Sequence, residues 1–98
     1  MATYIMLMKF TPQGIQNLKK LPDLLDLQKA GFAPLMKVEI KHVYLVMGKY
    51  DVITVVEAAD DQAVANFVLN VAAIGNFRTE TVRAFTEDEA RKLIEAAA

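Results

Sequence analysis

The 98-residue chain has no cysteine and only one histidine. The first absence removes disulfides, thiol nucleophiles and thiolate metal sites, and it fits a reducing compartment. Charge of one sign is also lacking. Eleven basic residues stand against twelve acidic ones, for a net charge of -1. Nucleic-acid binding calls for a concentrated basic face, and no such cluster is present. No stretch approaches the ~20 consecutive apolar residues needed to span a bilayer. The start, MATYIMLMKF, is apolar but short, has no basic n-region and runs straight into patterned sequence, so it is not expected to be a signal peptide. There is no GxSxG, HExxH, P-loop or paired-glycine nucleotide motif. The expectation is a cytoplasmic protein with no cofactor, metal, nucleic acid or membrane among its partners.

What is present is apolar material, 54% of the chain, enough to fill one domain's core and to cover a further surface. Residues 3–10 read as a strand, with Tyr4, Met6, Met8 and Phe10 on one side and Thr3, Ile5, Leu7 and Lys9 on the other. Thr11 can cap a helix that has Pro12 at its first position. Ile15, Leu18, Leu21, Leu24 and Leu25 form a helical stripe that Pro22 must kink, or restart as a second helix. Gly31 is the expected stop. Residues 36–47 and 50–58 form two more strands joined by a tight Gly48-Lys49 turn. Asp60 caps a helix whose apolar face is Val64, Phe67, Val68, Val71 and Ile74, and Gly75 ends it. Residues 76–85 are a fourth strand, and Thr86 with Glu89 makes a capping box for a last helix. The order is α+β, a ferredoxin-like βαββαβ with an extra C-terminal helix.

Helices on one face of such a sheet leave the other to water. Here that second face is apolar. The first strand is apolar on both sides, Met6 and Met8 against Ile5 and Leu7; the second strand carries Val43, Leu45 and Met47 on one side and Ile40, Tyr44 and Val46 on the other; the third alternates Val52 and Val56 with Ile53 and Val55. An exposed patch of that size calls for a cover. Two sheets facing each other, as in a dimeric α/β barrel, would supply it; so would the C-terminal helix.

The stretch Gly48-Lys49-Tyr50-Asp51 admits two readings. In one, the glycine sets the turn, the tyrosine suits a strand and the aspartate accepts backbone N–H bonds. In the other, Asp51 sits desolvated amid apolar neighbours with a raised pKa, as a general base or ligand anchor. A turn at Gly48-Lys49 puts Asp51 on a face with Tyr44 and His42 and sends Tyr50 to the opposite face. His42 and Asp51 are then roughly 13 Å apart at ~3.3 Å per residue, too far for a dyad. The lone His42 reads as a half-exposed strand residue, with axial haem ligation as its functional alternative. In NFRTETVRAF, Asn76, Arg78, Glu80 and Val82 alternate with Phe77, Thr79, Thr81 and Arg83. The second set could hold an anion; a solvated strand edge, or an Arg78–Glu80 pair, is the plainer account.

The strand TYIMLMKFT, the QG at Gln13-Gly14, MGKYDVITVVEAADD and GNFRTETVRAFTEDEARKLI together resemble the GYD-domain family. Its glycine–tyrosine–aspartate motif is matched by Gly48, Tyr50 and Asp51. The resemblance implies a ferredoxin-like protomer in the dimeric α/β-barrel superfamily, which includes cofactor-free monooxygenases, isomerases, haem enzymes and ligand-sensing domains, and a bacterial or archaeal source. Leu24 stands where the family carries an arginine after its helix proline, and Leu45 where it has an aromatic. The functional expectation is a homo-oligomer that binds a small organic molecule. An enzyme of this kind would use Asp51 as base or anchor, with Tyr44, Tyr50 and Arg78 orienting the ligand. The alternative is a non-catalytic ligand-sensing or assembly module in which the motif only shapes the hairpin.

Overall fold

In the computed structural model, which describes residues 1–97, four strands form one antiparallel sheet in the order β2-β3-β1-β4. The strands are β1 (Ala2–Phe10), β2 (Val38–Leu45), β3 (Val52–Ala58) and β4 (Phe77–Ala84). Between β1 and β2 lie α1 (Pro12–Gln16), a 3-10 turn (Leu18–Lys20), α2 (Leu21–Leu27), a π turn (Gln28–Phe32) and α3 (Ala33–Leu35); α4 (Asp61–Ile74) joins β3 to β4, and α5 (Glu87–Ala96) follows β4. This is the expected α+β, ferredoxin-like arrangement.

The core forms where alternating strand residues meet α4. Tyr4, Met6, Met8, Val38, Val56 and Ala58 are buried against Val64, Phe67 and Val71, at the i, i+3, i+7 spacing that puts three residues on one helical face. Local signals start the helices. The Thr11 hydroxyl accepts the Gly14 N–H at 3.1 Å, and Asp60 accepts the Ala63 N–H at 2.9 Å. Both halves of the Thr86–Glu89 capping box form. Pro22 sits in the first turn of α2 and so restarts the helix.

Two local expectations are corrected by packing. Gly31 does not stop the helix. Ala33 is fully buried and Phe32 packs on Phe67 with ring centroids 6.2 Å apart, which holds the chain helical past the glycine. The break comes at Lys37, whose φ is +61°. Plain alternation also fails in β2, because a bulge between Ile40 and His42 inserts Lys41. The extra residue brings Ile40 and Val43, opposite Val56 and Thr54, to the same helix-side face. Beyond the bulge the register runs as a Gly48-Lys49 turn requires: Tyr44 opposes Ile53, and the Val46 N–H donates to the Asp51 carbonyl at 2.9 Å. Gly48 has φ +121°, which only glycine adopts freely.

The other sheet face stays open. Ile5, Leu7, Ile53, Val55 and Val82 occupy it, with Tyr44 at its edge. α5 does not cover it: all of that helix but Glu89 and Ala90 is exposed, including Leu93 at 54% and Ile94 at 73%. No helix of the described residues is long and apolar enough to cross a membrane.

Candidate functional site: an apolar cavity on the helix side of the sheet

The hairpin motif is built into the sheet's own hydrogen bonding. The Asp51 N–H donates to the Met8 carbonyl at 2.9 Å, and Asp51 Oδ2 accepts the Phe10 N–H at 3.0 Å. The side chain thus continues the β1–β3 ladder one step past the last paired residue, Val52. Tyr50 does not stay on the opposite face. Its hydroxyl donates to Glu80 Oε2 at 2.6 Å, and this bond to a carboxylate raises the phenol's pKa. Glu80 is therefore engaged with Tyr50 rather than with Arg78. Tyr44 is 53% exposed on the open face and stacks on His42, ring centroids 6.0 Å apart. Arg78 is exposed opposite Lys9. Asp51, Tyr44, Tyr50 and Arg78 thus occupy the hairpin end of the sheet without converging on a common hollow.

The row Thr79, Thr81, Arg83 lies on the helix side. The Arg83 guanidinium donates to the Thr3 carbonyl at 3.2 Å and lies 5.5 Å from the Tyr4 ring centre. Tyr4 donates its hydroxyl to Asp61; that bond, then burial, raises the phenol's pKa. The guanidinium's Nη1 thus donates to the Thr3 and Ala84 carbonyls, and among the described residues the Thr81 hydroxyl is buried without a partner.

An apolar hollow lies elsewhere, between the helix side of the sheet and the segment from the 3-10 turn to α2. It is a cavity of about 330 Å³. Its floor is Met6, Met8, Val43, Val52 and Thr54, and its roof is Leu18, Leu21, Leu24 and Leu25. Phe67, Val71 and Ile74 of α4 close one side. Among the described residues no ionisable side chain lines it. The polar lining is Gln28, Thr54 and Asn76, and the Thr54 hydroxyl already contacts the Met8 sulfur at 3.4 Å. Between Leu18 and Phe32 no residue is fully buried, so the roof rests on the cavity rather than on a filled core.

Asn76 stands at the end of the cavity where α1 is tied to the α4–β4 corner. The Thr11 N–H donates to its carbonyl at 3.0 Å, and Gln13 Nε2 and Asn17 Nδ2 each donate to its Oδ1 at 3.3 Å. Gly14 passes so close that an added Cβ would lie 2.1 Å from the Asn76 carbonyl oxygen. Simple alternation groups Asn76 with Arg78 on the open face; it precedes the first paired residue of β4 and turns inward instead. The sequence signal that could have found it is the polar set Gln13, Gly14, Asn17 facing a Gly-Asn pair at a helix end.

A match to the GYD domain family spans residues 4–94. The chain belongs to that family. It is 33% identical over 84 residues to a protein of Thermus thermophilus named glutamine synthetase and cystathionine beta-lyase binding protein, covering 86% of this chain and 88% of that one. Two solved structures share the fold. One is a hypothetical protein from Pyrococcus horikoshii, with a TM-score of 0.60 and 22% identity over 89% of this chain and 93% of the other. The second is a feast or famine regulatory protein from M. tuberculosis complexed with L-methionine, with a TM-score of 0.57 and 14% identity over 88% of this chain and 51% of that one.

Proposed function

We propose that this GYD-domain protein is a non-catalytic module that takes up a small, uncharged, apolar molecule in the helix-side cavity and self-associates through its open sheet face. One observation carries the reading: among the described residues no ionisable side chain lines the cavity. A monooxygenase- or isomerase-like reaction needs a group that can move a proton within hydrogen-bond reach of the substrate. Asp51, Tyr50 and Tyr44 are absent from the lining. The Gly48-Lys49-Tyr50-Asp51 stretch then serves the hairpin and its junction with β1. A cavity of about 330 Å³ is roughly twice the ~150 Å³ that accommodates benzene in a dry protein interior, so its occupant has on the order of ten non-hydrogen atoms.

Self-association is supported by Ile5, Leu7, Ile53, Val55 and Val82 sharing one face that no helix of the described residues covers, since contiguous apolar surface of this kind marks interaction sites. The Thermus relative is named for binding two enzymes, which favours a second reading: the same face docks a metabolic enzyme. The test is thermal melting with and without α-methylstyrene, alongside sedimentation of the untagged protein. Uptake in the cavity raises the melting temperature of the wild type, and by less in Val43→Phe, which narrows the cavity. A wild type whose melting temperature does not respond contradicts the reading. A sedimenting dimer supports self-association, and a monomer leaves the face to a foreign protein.

A further inference from the structure

Of the three polar side chains in the lining, Gln28, Thr54 and Asn76, the most tightly held has a donor to spare. Asn76 is 4% exposed, and its amide orientation follows from its neighbours. Gln13 Nε2 donates to the Ile74 carbonyl at 2.8 Å, so this end of the Gln13 amide is nitrogen. The same nitrogen lies 3.3 Å from the Asn76 side chain, and Asn17 Nδ2 meets the same atom at 3.3 Å. Two donors converging on one atom make it the oxygen. The other end, Nδ2, is then the amino group; among the described residues no acceptor is bonded to it, and it keeps accessible surface, since the one wholly enclosed side-chain atom without a partner is Thr81 Oγ1. The residue is not free to turn away, because its backbone is tied to Thr11 and packed against Gly14.

We propose that Asn76 Nδ2 is the recognition donor of the cavity, and that the molecule it recognises is a neutral, largely apolar compound bearing one acceptor oxygen, such as a ketone, ester or ether. This rests on the cavity being a binding site. The lining supports each part of the description. Its hydrocarbon walls favour an apolar body. A carboxylate or ammonium would be desolvated there with no opposite charge to meet it. An acceptor placed against this free amide N–H adds both affinity and a fixed orientation.

Acetophenone and α-methylstyrene have nearly the same shape and differ in C=O against C=CH2, so they isolate the hydrogen bond. Their affinities are measured on the wild type and on Asn76→Asp, which keeps an oxygen for Gln13 and Asn17 and replaces the amino donor. The expected result is that both probes bind the wild type, and that the ketone's advantage over the hydrocarbon, read as the ratio of the two affinities in each protein, falls about fivefold in Asn76→Asp. If both bind and the ratio is unchanged, the donor assignment is overturned and the cavity stands. If neither binds the wild type, the cavity reading falls and the donor assignment with it. Should Asn76→Asp fail to fold, the side-chain amide signals of Asn76 in the wild type decide: acetophenone must shift them more than α-methylstyrene, and equal shifts overturn the proposal.

Discussion

The two faces of the sheet are built from the same residue types and end up with different properties. On the helix side, Met6, Met8, Val56 and Thr54 meet α4 and are buried. The roof segment bridges that surface without filling it and leaves a cavity. On the open side, Ile5, Leu7, Ile53 and Val55 are only half-buried within the chain, and charged residues frame them. Lys9 and Arg78 stand opposite each other at one end, Glu39 and Glu57 at the other. Lys41, the bulged residue, lies 3.1 Å from Glu39 and 4.0 Å from Glu57, which eases the repulsion between them. An apolar surface enclosed by its own chain can select a small molecule by shape. One framed by exposed charge is suited to a large partner, because the rim sets orientation while the centre supplies area.

Substitutions can break this contrast from either side. The largest effect is expected in the core that both faces share: Phe67→Ala should cost about 3–5 kcal/mol in chemical denaturation. Gly14→Ala should cost on the order of 2 kcal/mol, since the Asn76 carbonyl cannot yield to a methyl at 2.1 Å, and ligand uptake should be lost even where the fold survives. Ile53→Asp should weaken self-association by roughly 2 kcal/mol, about thirtyfold, without altering probe affinity in the cavity. Parallel loss of both would mean that the two faces are not independent.

Asp51→Ala should lower stability by ~1–2 kcal/mol through loss of the Phe10 N–H acceptor. Asp51→Asn, which keeps an acceptor oxygen, should be milder, and both should leave ligand uptake intact. Abolished uptake in Asp51→Asn at an unchanged melting temperature would restore the motif as a ligand site. The smallest effect concerns α5. Hydrogen bonds from Thr86 hold the Glu89 carboxyl below its ordinary value of 4.5. A depressed carboxyl contributes its full stabilisation above that value, and the contribution is lost as pH falls below it through the lower folded-state value. The protection factors of the α5 amides, taken relative to the intrinsic exchange rate at each pH, should therefore fall in acid before those of the sheet do.

Much of this architecture can be read from local chemistry. Caps at Thr11, Asp60 and Thr86, and the left-handed glycine at 48, are short-range features whose side chains act within a few residues. So is the hairpin register from Val46 to Asp51. The bulge at Lys41 is different. It is fixed by the need to keep Val38 and Ile40 under the helices while Tyr44 stays outside, a demand of the whole sheet that alternation within β2 does not reveal. Gly31 shows the same lesson, where burial of Ala33 outweighs a residue that ends many helices. The candidate site was the least legible part. Gly48-Lys49-Tyr50-Asp51 draws attention because its residues are chemically distinctive. The cavity is assembled from leucines, methionines and valines far apart in the chain, and its one informative polar group, Asn76, is recognisable only once α1 and the α4–β4 corner are brought together.

The central claim is that the helix side of the sheet, and not the open side, receives the small molecule. Methyl spectra of protein labelled at isoleucine and methionine, recorded during titration with α-methylstyrene, test it most directly. The cavity is lined by Met6, Met8, Ile40 and Ile74, whereas Ile5 and Ile53 belong to the open face. The account predicts saturable shifts in the first group and still signals in the second; shifts led by Ile5 and Ile53 would contradict it.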